Sequence, residues 1–315
     1  MAYPHLHFLI SAPRSGSTWL AKSLNQHPEI MATEQRLFGD FTDVWPQKEG
    51  GHSLKITQDA YIRNLSGFYF FEELKLEKRE FVREFQDFLI QQMTDFALQR
   101  SGKKRLVDKI TPYSGTSERV IRNIRSRLPG SKIIQLVRDG RDVLTSGTFD
   151  WLRFNSTDTP RHAFFVEQVP GMQLDRFFDD STIKQWATDW RDTIEIFQHK
   201  APDIQVRYEA LLAEQGSELK RIFQTLEVTA SQTLADACAA ATTFRQLTGR
   251  ERGDERPTEK ARKGVSGDWK NYFTRRDGEL FQKIAGTQLE TLGYAPDGSW
   301  INALPERLSL TRPAT

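Results

Sequence analysis

The sequence has very little cysteine and no long apolar run. Its 315 residues include one cysteine, Cys238, which excludes an internal disulfide framework and any zinc site built on cysteines. No stretch approaches the ~18–20 consecutive apolar residues that a membrane-spanning helix needs. The first thirteen residues lack the basic segment and the apolar core of a signal peptide. We therefore expect a soluble, cytoplasmic protein from a reducing compartment.

The chain also has almost no excess of either charge. Lys and Arg number 44 and Asp and Glu 42, which gives a formal net charge of +2. Dedicated nucleic-acid-binding proteins usually carry a strong basic excess, so we expect no nucleic-acid partner, although a local basic pocket is allowed. The 21 Phe, 7 Trp and 7 Tyr residues can build a core, which excludes a disordered chain.

Segments with strand-like and helix-like patterns alternate along the chain. Short apolar runs predict strands at 5–11, 105–110, 132–138 and 203–208. Helical spacing and stop signals predict helices at 17–26, 80–100, 114–128, from 140 onward, and at 182–200, 209–226, 231–240 and 277–292. This alternation predicts a mostly parallel sheet covered by helices on both faces. At ~150 residues per domain the length would fit two domains, but we predict a single one over residues 1–315.

Two segments interrupt this alternation. Residues 149–180 have mixed composition and no clear period, which suggests an insertion rather than a core element. Residues 249–263 are charged and are broken by Gly and Pro, which predicts a mobile loop or lid.

The loop SAPRSGST follows the first predicted strand and opens a helix, where α/β proteins bind phosphate. Gly16 and Thr18 match the ATP-binding loop G-x-x-x-x-G-K-[ST], but Ser11 replaces its first glycine and Ser17 its lysine. The cation has moved to Arg14. The missing lysine, together with the lack of a clear acidic partner for Mg²⁺, counts against a kinase, and we expect no metal. By itself the segment also fits an ordinary turn with a Ser or Thr cap.

The extended segment PRSGSTW resembles the 5′-phosphosulfate loop of sulfotransferases, which use 3′-phosphoadenosine 5′-phosphosulfate (PAPS) and release 3′,5′-ADP (PAP). The resemblance implies a P-loop-like three-layer α/β fold with a central, mostly parallel sheet flanked by helices. It also assigns these loop residues to the donor: Arg14, Ser15, Gly16, Ser17, Thr18 and Trp19.

Two further motifs of this family bind the 3′-phosphate. KIIQLVRDGRDVLTS supplies an R-x₇-S pair, Arg138 and Ser146. RKGVSGDWKNYFT resembles the C-terminal signature and supplies Arg262, Lys263 and Gly264. Taken alone, Arg138 also fits a surface ion pair with Asp139 or Asp142. The second motif also fits a solvated basic loop.

The family stacks the adenine on aromatic side chains, since aromatic faces pack well on bases. The resemblance assigns this role to Trp19, to Tyr208 in VRYE and to Phe244 in TTF. Each of these side chains alone also fits the core. The matched motifs extend from residue 8 to residue 274 and agree in type and order.

The resemblance also implies the catalytic groups. Arg14 stands where the family has a cation that stabilises the leaving oxygen. The histidine base of the K-T-H-x-P segment is absent, because Ile110 occupies that position. Golgi-type enzymes instead use a Glu in E-x-[HQR]-[FIL]-[FI], and EQRLF here places Glu34 as the expected general base. Glu29 and Asp108 are alternatives, and Glu34 also fits an exposed ion pair.

Lys109 in DKITP resembles a lysine that reaches the sulfonate in Golgi-type enzymes, although an ion pair with Asp108 fits nearly as well. His162 fits either an acceptor contact or a solvated loop. We expect the acceptor pocket to be lined by residues 36–70 and 149–180. These contain Phe38, Phe41, Trp45, Phe68, Tyr69, Phe70, Phe71, Trp151, Phe154, Phe164 and Phe165.

The expected function is thus sulfuryl transfer from PAPS to a hydroxyl or amine of a small-molecule, lipid or carbohydrate acceptor. The sequence leaves the oligomeric state open, and a homodimer is compatible with it. The alternatives are a small-molecule P-loop kinase, which would need Mg²⁺ and ATP, and a non-catalytic protein that binds PAP or PAPS.

Overall fold

A five-stranded parallel sheet forms the centre of the computed structural model, which describes residues 3–33, 70–112, 116–154 and 159–313. The strands are β1 (Leu6–Ser11), β2 (Ile30–Thr33), β3 (Arg105–Ile110), β4 (Ile133–Val137), β5 (Gln173–Leu174), β6 (Ile204–Arg207) and β7 (Leu310–Thr311). The central sheet has the order β2-β3-β1-β4-β6, and each neighbouring pair is parallel. A separate antiparallel pair joins β5 to β7.

The helices connect these strands and cover the sheet. They are α1 (Ser17–Asn25), α2 (Phe70–Glu73), α3 (Lys78–Ser101), α4 (Ser117–Arg127), α5 (Gly140–Phe154), α6 (Pro160–His162), α7 (Asp180–His199), α8 (Tyr208–Thr225), α9 (Gln232–Ala240), α10 (Phe244–Thr248) and α11 (Arg275–Thr291). A π-helical turn follows α6 at Ala163–Glu167, and 3₁₀ turns lie at Asp268–Asn271 and Gly298–Ala303. The predicted long helices and strands are confirmed to within about three residues at each end, whereas β2 and α10 were not predicted.

The central strand β1 shows why helices lie on both faces of the sheet. All six of its residues are buried, and side chains of a strand point alternately to opposite faces. Phe8 and Ile10 pack in one apolar cluster with Ile121 of α4. Leu9 packs in a second cluster with Leu20 of α1. The predicted three-layer α/β arrangement is therefore confirmed.

A third apolar cluster is built mostly from the C-terminal half of the chain, and it shows that one expectation is wrong. Phe164 and Phe165, which were expected to line an acceptor pocket in an insertion, are only 5% and 6% exposed and belong to this core. The Phe165 ring lies 4.9 Å from that of Phe149, centroid to centroid. The segment lacks a helical or strand period because a π-helical turn and short irregular stretches build it.

The predicted lid, residues 249–263, is folded back on itself. The Gly253 amide donates to the Lys263 carbonyl at 2.9 Å, and the Arg256 amide donates to the Arg262 carbonyl at 3.0 Å. The Arg250 guanidinium also donates to the Arg262 carbonyl at 3.1 Å. These bonds define a closed loop, and its mobility stays a prediction.

Within the described part of the chain, every helix is too short or too polar to cross a bilayer.

Candidate active site

The candidate site lies where the parallel strands end. Strands β1, β3, β4 and β6 all present their carboxyl ends at the same edge of the sheet, which is where ligands bind in open α/β folds. The segments that follow these ends carry the residues that the motifs singled out. Topology thus brings together side chains that lie up to 250 positions apart in the sequence.

A cavity of about 550 Å³, here called the loop cavity, opens at this edge. Its lining includes every predicted site residue except Ser15, which is buried, and Glu34, which lies outside the described residues. Among the described lining residues are eight basic side chains: Arg14, Lys22, Lys109, Arg138, Arg252, Lys260, Arg262 and Lys263. The same lining has one carboxylate, that of Asp150. The loop cavity therefore strongly favours an anionic ligand.

The loop between β1 and α1 is held in an unusual backbone conformation. Gly16 has φ of +91°, and Arg14, which is not glycine, has φ of +65°. Such values are costly for residues with a side chain and cluster at functional sites. A Cβ atom at Gly16 would also lie 2.7 Å from the Tyr208 ring, so a larger residue would collide with it. Helix α1 begins at Ser17, so its free amides face the end of the loop.

The Arg14 side chain makes three contacts inside the cavity. Its Nε donates to the Ser146 hydroxyl at 3.3 Å, and one terminal nitrogen donates to the Lys260 carbonyl at 2.8 Å. The other terminal nitrogen lies 3.1 Å from an Asp150 carboxylate oxygen. Burial lowers the pKa of Arg14, while Asp150 raises it. An arginine side chain nevertheless stays protonated in proteins.

Arg138 is fixed at the end of β4 by backbone acceptors. Its terminal nitrogens donate to the carbonyls of Arg14 and Val265, each at 3.0 Å. The guanidinium lies 4.4 Å from the centre of the Tyr208 ring. Its Nε is buried, and it has no hydrogen-bond partner among the residues that the structure describes. A buried donor of this kind is costly unless a ligand accepts from it.

Asp142 connects Arg138 to the C-terminal motif. Its carboxylate accepts from the backbone amides of Gly267 at 2.7 Å and of Trp269 at 3.1 Å. It also lies 3.7 Å from Arg138. Burial raises the pKa of Asp142 to about 6, against the opposing effect of the Arg138 cation.

The three predicted aromatic residues all line the loop cavity. The Trp19 and Tyr208 rings meet edge to face, with centroids 5.8 Å apart, and the Trp19 indole donates to the Thr242 carbonyl at 2.8 Å. A Cβ atom at Gly264 would lie 2.5 Å from the Phe244 ring, so the glycine allows this ring to approach the backbone. These side chains offer apolar faces within a basic cavity.

The cations of the RKG motif line the cavity, but both already have carboxylate partners. The Arg262 guanidinium contacts Glu255 and Asp268. The Lys263 ammonium lies 2.7 Å from Asp268. Burial alone would raise the pKa of Asp268, but these two cations bring it below its usual range. These carboxylates thus partly compensate the positive charge of Arg262 and Lys263, and the motif itself does not indicate this pairing.

Lys109 reaches the loop from the end of β3. Its ammonium donates to the Thr18 hydroxyl at 2.9 Å. The neighbouring Ile110 is completely buried in the core, because successive side chains of a strand point to opposite faces. Lys109 is therefore the residue of this segment that faces the cavity together with Thr111.

The three candidate bases differ in what the structure shows of them. Glu34 lies outside the described residues, directly after Thr33 in the sequence. Glu29 contacts Lys104 and the Thr229 amide and is absent from the lining of the loop cavity. The hydrogen bond from Lys104 lowers the pKa of Glu29 to about 2, which makes it a weak base. Asp108 is completely buried and absent from that lining as well.

A second cavity of about 1,180 Å³, here called the adjacent cavity, opens beside the loop cavity. Pro13, Arg14 and Asp150 line both cavities. Trp151 and Phe154, expected on the acceptor side, line the adjacent cavity and are 42% and 73% exposed. His162 lies on neither lining and contacts Glu167 at 3.1 Å. Of the other expected acceptor residues, those between Phe38 and Tyr69 lie outside the described residues.

Comparison with known proteins then decides the family. The model of the sulfotransferase domain matches residues 5–293. The chain belongs to the sulfotransferase family. Human sulfotransferase 2A1 is 28% identical over 166 residues, which cover 49% of this chain and 55% of the relative. Mouse sulfotransferase 1B1 is 26% identical over 180 residues, which cover 50% and 56%. The match thus spans about half the length of these curated relatives.

A solved structure resembles the fold over a longer stretch. The structure of mouse sulfotransferase SULT7A1 complexed with PAP has a TM-score of 0.52 and 20% sequence identity. The comparison covers 96% of this chain and 88% of the mouse chain. At this identity the likeness supports the fold of this sulfotransferase.

Sequence reasoning missed some of the charged residues that line the loop cavity. Lys22, Arg252 and Lys260 were not singled out, although each lies close to a recognised motif in the sequence. Asp150 was also missed. It lies four residues after Ser146 on α5, and residues four apart share one face of a helix, so helical spacing could have found it. Among the described residues, no group of three or more His, Cys, Asp or Glu could hold a metal.

Proposed function

We propose that this sulfotransferase transfers the sulfuryl group of PAPS to a hydroxyl or amine of an acceptor, and that the loop cavity holds the donor. The observation that carries the proposal is the lining of that cavity, in which the described residues supply eight basic side chains, one carboxylate and the three aromatic residues Trp19, Tyr208 and Phe244. An adenine nucleotide with anionic groups at both ends needs this combination of charge and flat apolar surface. The mouse relative of similar fold was solved with PAP.

The residues present fit such a donor. The free amides at the start of α1 and the Arg14 side chain would hold the 5′ anionic group, as helix N-termini commonly do. Arg138 and Ser146 would hold the 3′-phosphate, and the buried Nε of Arg138 is a donor in need of an acceptor. The stacking of adenine is assigned to the aromatic residues.

Catalysis then depends on position and charge. Bound PAPS would supply the sulfuryl group, and PAP would be the leaving product. Arg14 stabilises negative charge on the leaving oxygen, since its guanidinium is a permanent cation with several donors. Lys109, held at 2.9 Å from Thr18, adds positive charge on the side of β3. Both side chains are largely buried, Lys109 at 9% and Arg14 at 16% exposure, and electrostatic effects at such positions are larger than in bulk solvent.

We propose Glu34 as the general base that takes the acceptor proton. The support is the EQRLF segment, which follows Thr33 directly in the sequence. Thr33 ends β2, and β2 pairs with β3, the strand that carries Lys109. An E34Q variant should bind PAP normally and lose about 100-fold or more in turnover, because a general base typically contributes that much. Full turnover in E34Q would exclude this role.

The adjacent cavity is proposed to receive the acceptor. It meets the loop cavity at Arg14, and Trp151 and Phe154 give it an apolar wall. Small-molecule, lipid and carbohydrate hydroxyls are all compatible with such a wall. We also propose that the enzyme acts in the cytoplasm, which suits its single free cysteine, Cys238.

Calorimetric titration with PAP, 5′-AMP and Mg-ATP tests the proposed donor site. We expect PAP to bind far more tightly than 5′-AMP, and R138A to weaken PAP binding by about 10- to 100-fold through loss of charge-assisted hydrogen bonds. R127A is a matched control, because Arg127 pairs with Asp87 outside both cavities. Indifference to PAP together with Mg-dependent binding of ATP would favour a kinase instead.

A further inference from the structure

Asp150 is the feature of the loop cavity that donor binding does not need. Its carboxylate stands among eight basic side chains, as the one acidic group in the described lining. A negative charge beside the 5′ anionic group of a nucleotide would repel it. Asp150 also lies at the junction of the loop cavity with the adjacent cavity. Its presence there calls for a separate role.

The contacts of Asp150 show which cation it holds. Arg14 is held by three oxygen acceptors, and the Asp150 carboxylate, at 3.1 Å, is the charged one among them. The Asp150 carboxylate has a second cation, because Arg153 lies one helical turn further along α5 with its guanidinium at 2.7 Å. The Asp150 side chain is 28% exposed and that of Arg14 16%. Partial exposure allows both side chains to move without leaving a charge buried and alone.

We propose that Asp150 is an exchangeable counter-ion of Arg14, a positioning residue that holds the guanidinium while the donor is absent and releases it when the donor binds. This inference rests on the proposed function of the loop cavity. The anionic group of the donor takes the place of the Asp150 carboxylate on Arg14, and Asp150 keeps Arg153 as its partner. No covalent bond changes in this exchange. The donor therefore has to displace an internal anion, which lowers its apparent affinity.

The exchange also couples donor binding to the adjacent cavity, which is the proposed acceptor site. Once Arg14 turns to the donor, the Asp150 carboxylate is held by Arg153 alone and still lines the adjacent cavity. Pairing with Arg153 then keeps its negative charge away from the donor. Asp150 thus holds the Arg14 guanidinium in place before the donor binds and releases it when the donor binds.

A double-mutant cycle measured by calorimetric titration with PAP tests the exchange. The proteins are wild type, D150N, R14A and R14A/D150N, with D87N as a matched control. Asp87 also pairs with an arginine and is 29% exposed, so D87N removes the same charge at a site outside both cavities. Asparagine is nearly isosteric with aspartate, and thermal unfolding of each variant checks that the fold is retained.

We expect D150N to bind PAP about tenfold more tightly than wild type at low salt, with a smaller gain at high salt, where charge interactions are screened. In the R14A background, D150N should change the affinity less than about twofold, because no guanidinium is left to exchange. D87N should match wild type. Unchanged or weaker binding by D150N would overturn the inference, and so would an equal gain in both backgrounds, which would indicate plain repulsion of the ligand. Failure of wild type itself to bind PAP would instead refute the proposed function.

Discussion

Replacing Gly16 with alanine tests whether the loop is shaped by its contact with Tyr208. Gly16 has φ of +91°, a left-handed conformation that costs about 1–2 kcal/mol for a residue with a Cβ atom. The new methyl group would also lie 2.7 Å from two atoms of the Tyr208 ring. Overpacking of this kind costs about 1–3 kcal/mol. We therefore expect G16A to lose about 2–5 kcal/mol of unfolding free energy.

Gly102 separates the two contributions. It ends α3 with φ of +67°, and a Cβ atom there would meet nothing within 4 Å. G102A should therefore lose only the conformational part, about 1–2 kcal/mol. Urea unfolding at one temperature measures both variants, and the difference between them is the cost of the contact with Tyr208.

The two variants should also differ in ligand binding. The Tyr208 ring lies 4.4 Å from the Arg138 guanidinium, so displacing the ring disturbs both the proposed adenine surface and the proposed phosphate donor. We expect G16A to bind PAP at least about tenfold more weakly and G102A to bind it normally. Equal losses of unfolding free energy in the two variants, with normal PAP binding by G16A, would show that Tyr208 moves aside at no cost and would refute this reasoning.

Two further predictions concern stability. Burial raises the pKa of Asp142 to about 6, so the folded chain binds a proton on this carboxyl more tightly than the unfolded chain does. The stabilisation that results is at most about 3 kcal/mol. It is present at low pH and is lost as the pH rises through about 6. Urea unfolding should therefore show D142N to be more destabilised, relative to wild type, near pH 4.5 than near pH 7.5; a constant difference would contradict this. Thr274 and Asp277 form a capping box at the start of α11, so T274A should lose about 1 kcal/mol in the same assay without changing PAP affinity, and an unchanged stability would show that the cap contributes nothing.

The long elements of the fold could be predicted because each carries its own signal. The run KIIQLV is apolar and bounded by Pro129-Gly130 before it, and it forms β4. Strand β2 carries no such signal. Its four residues, IMAT, gain strand structure from pairing with β3, whose partner residues lie 75 positions further along the chain. Pairing between distant segments is not visible in local periodicity.

The aromatic segment after α5 was misjudged for a related reason. Phe165 and Phe177 are buried against Phe149 and Tyr272, and Tyr272 lies some hundred residues further along the chain. Neither a π-helical turn nor the short segments that follow it produce a regular apolar pattern. Composition alone therefore could not tell these core residues from the exposed Trp151 and Phe154.

In the candidate site, the motifs identify five of the eight cations, whereas the folded chain shows which carboxylate lies beside four of these five. Arg14 pairs with Asp150, Arg138 lies near Asp142, and Arg262 and Lys263 share Asp268.

Without such partners, eight basic side chains around one cavity would repel one another and destabilise the fold. The free energy of binding an anionic ligand is then the difference between the interactions of these cations with the ligand and their interactions with the internal carboxylates. The affinity must therefore be lower than the number of cations suggests, and substitution of any of these carboxylates can change the affinity.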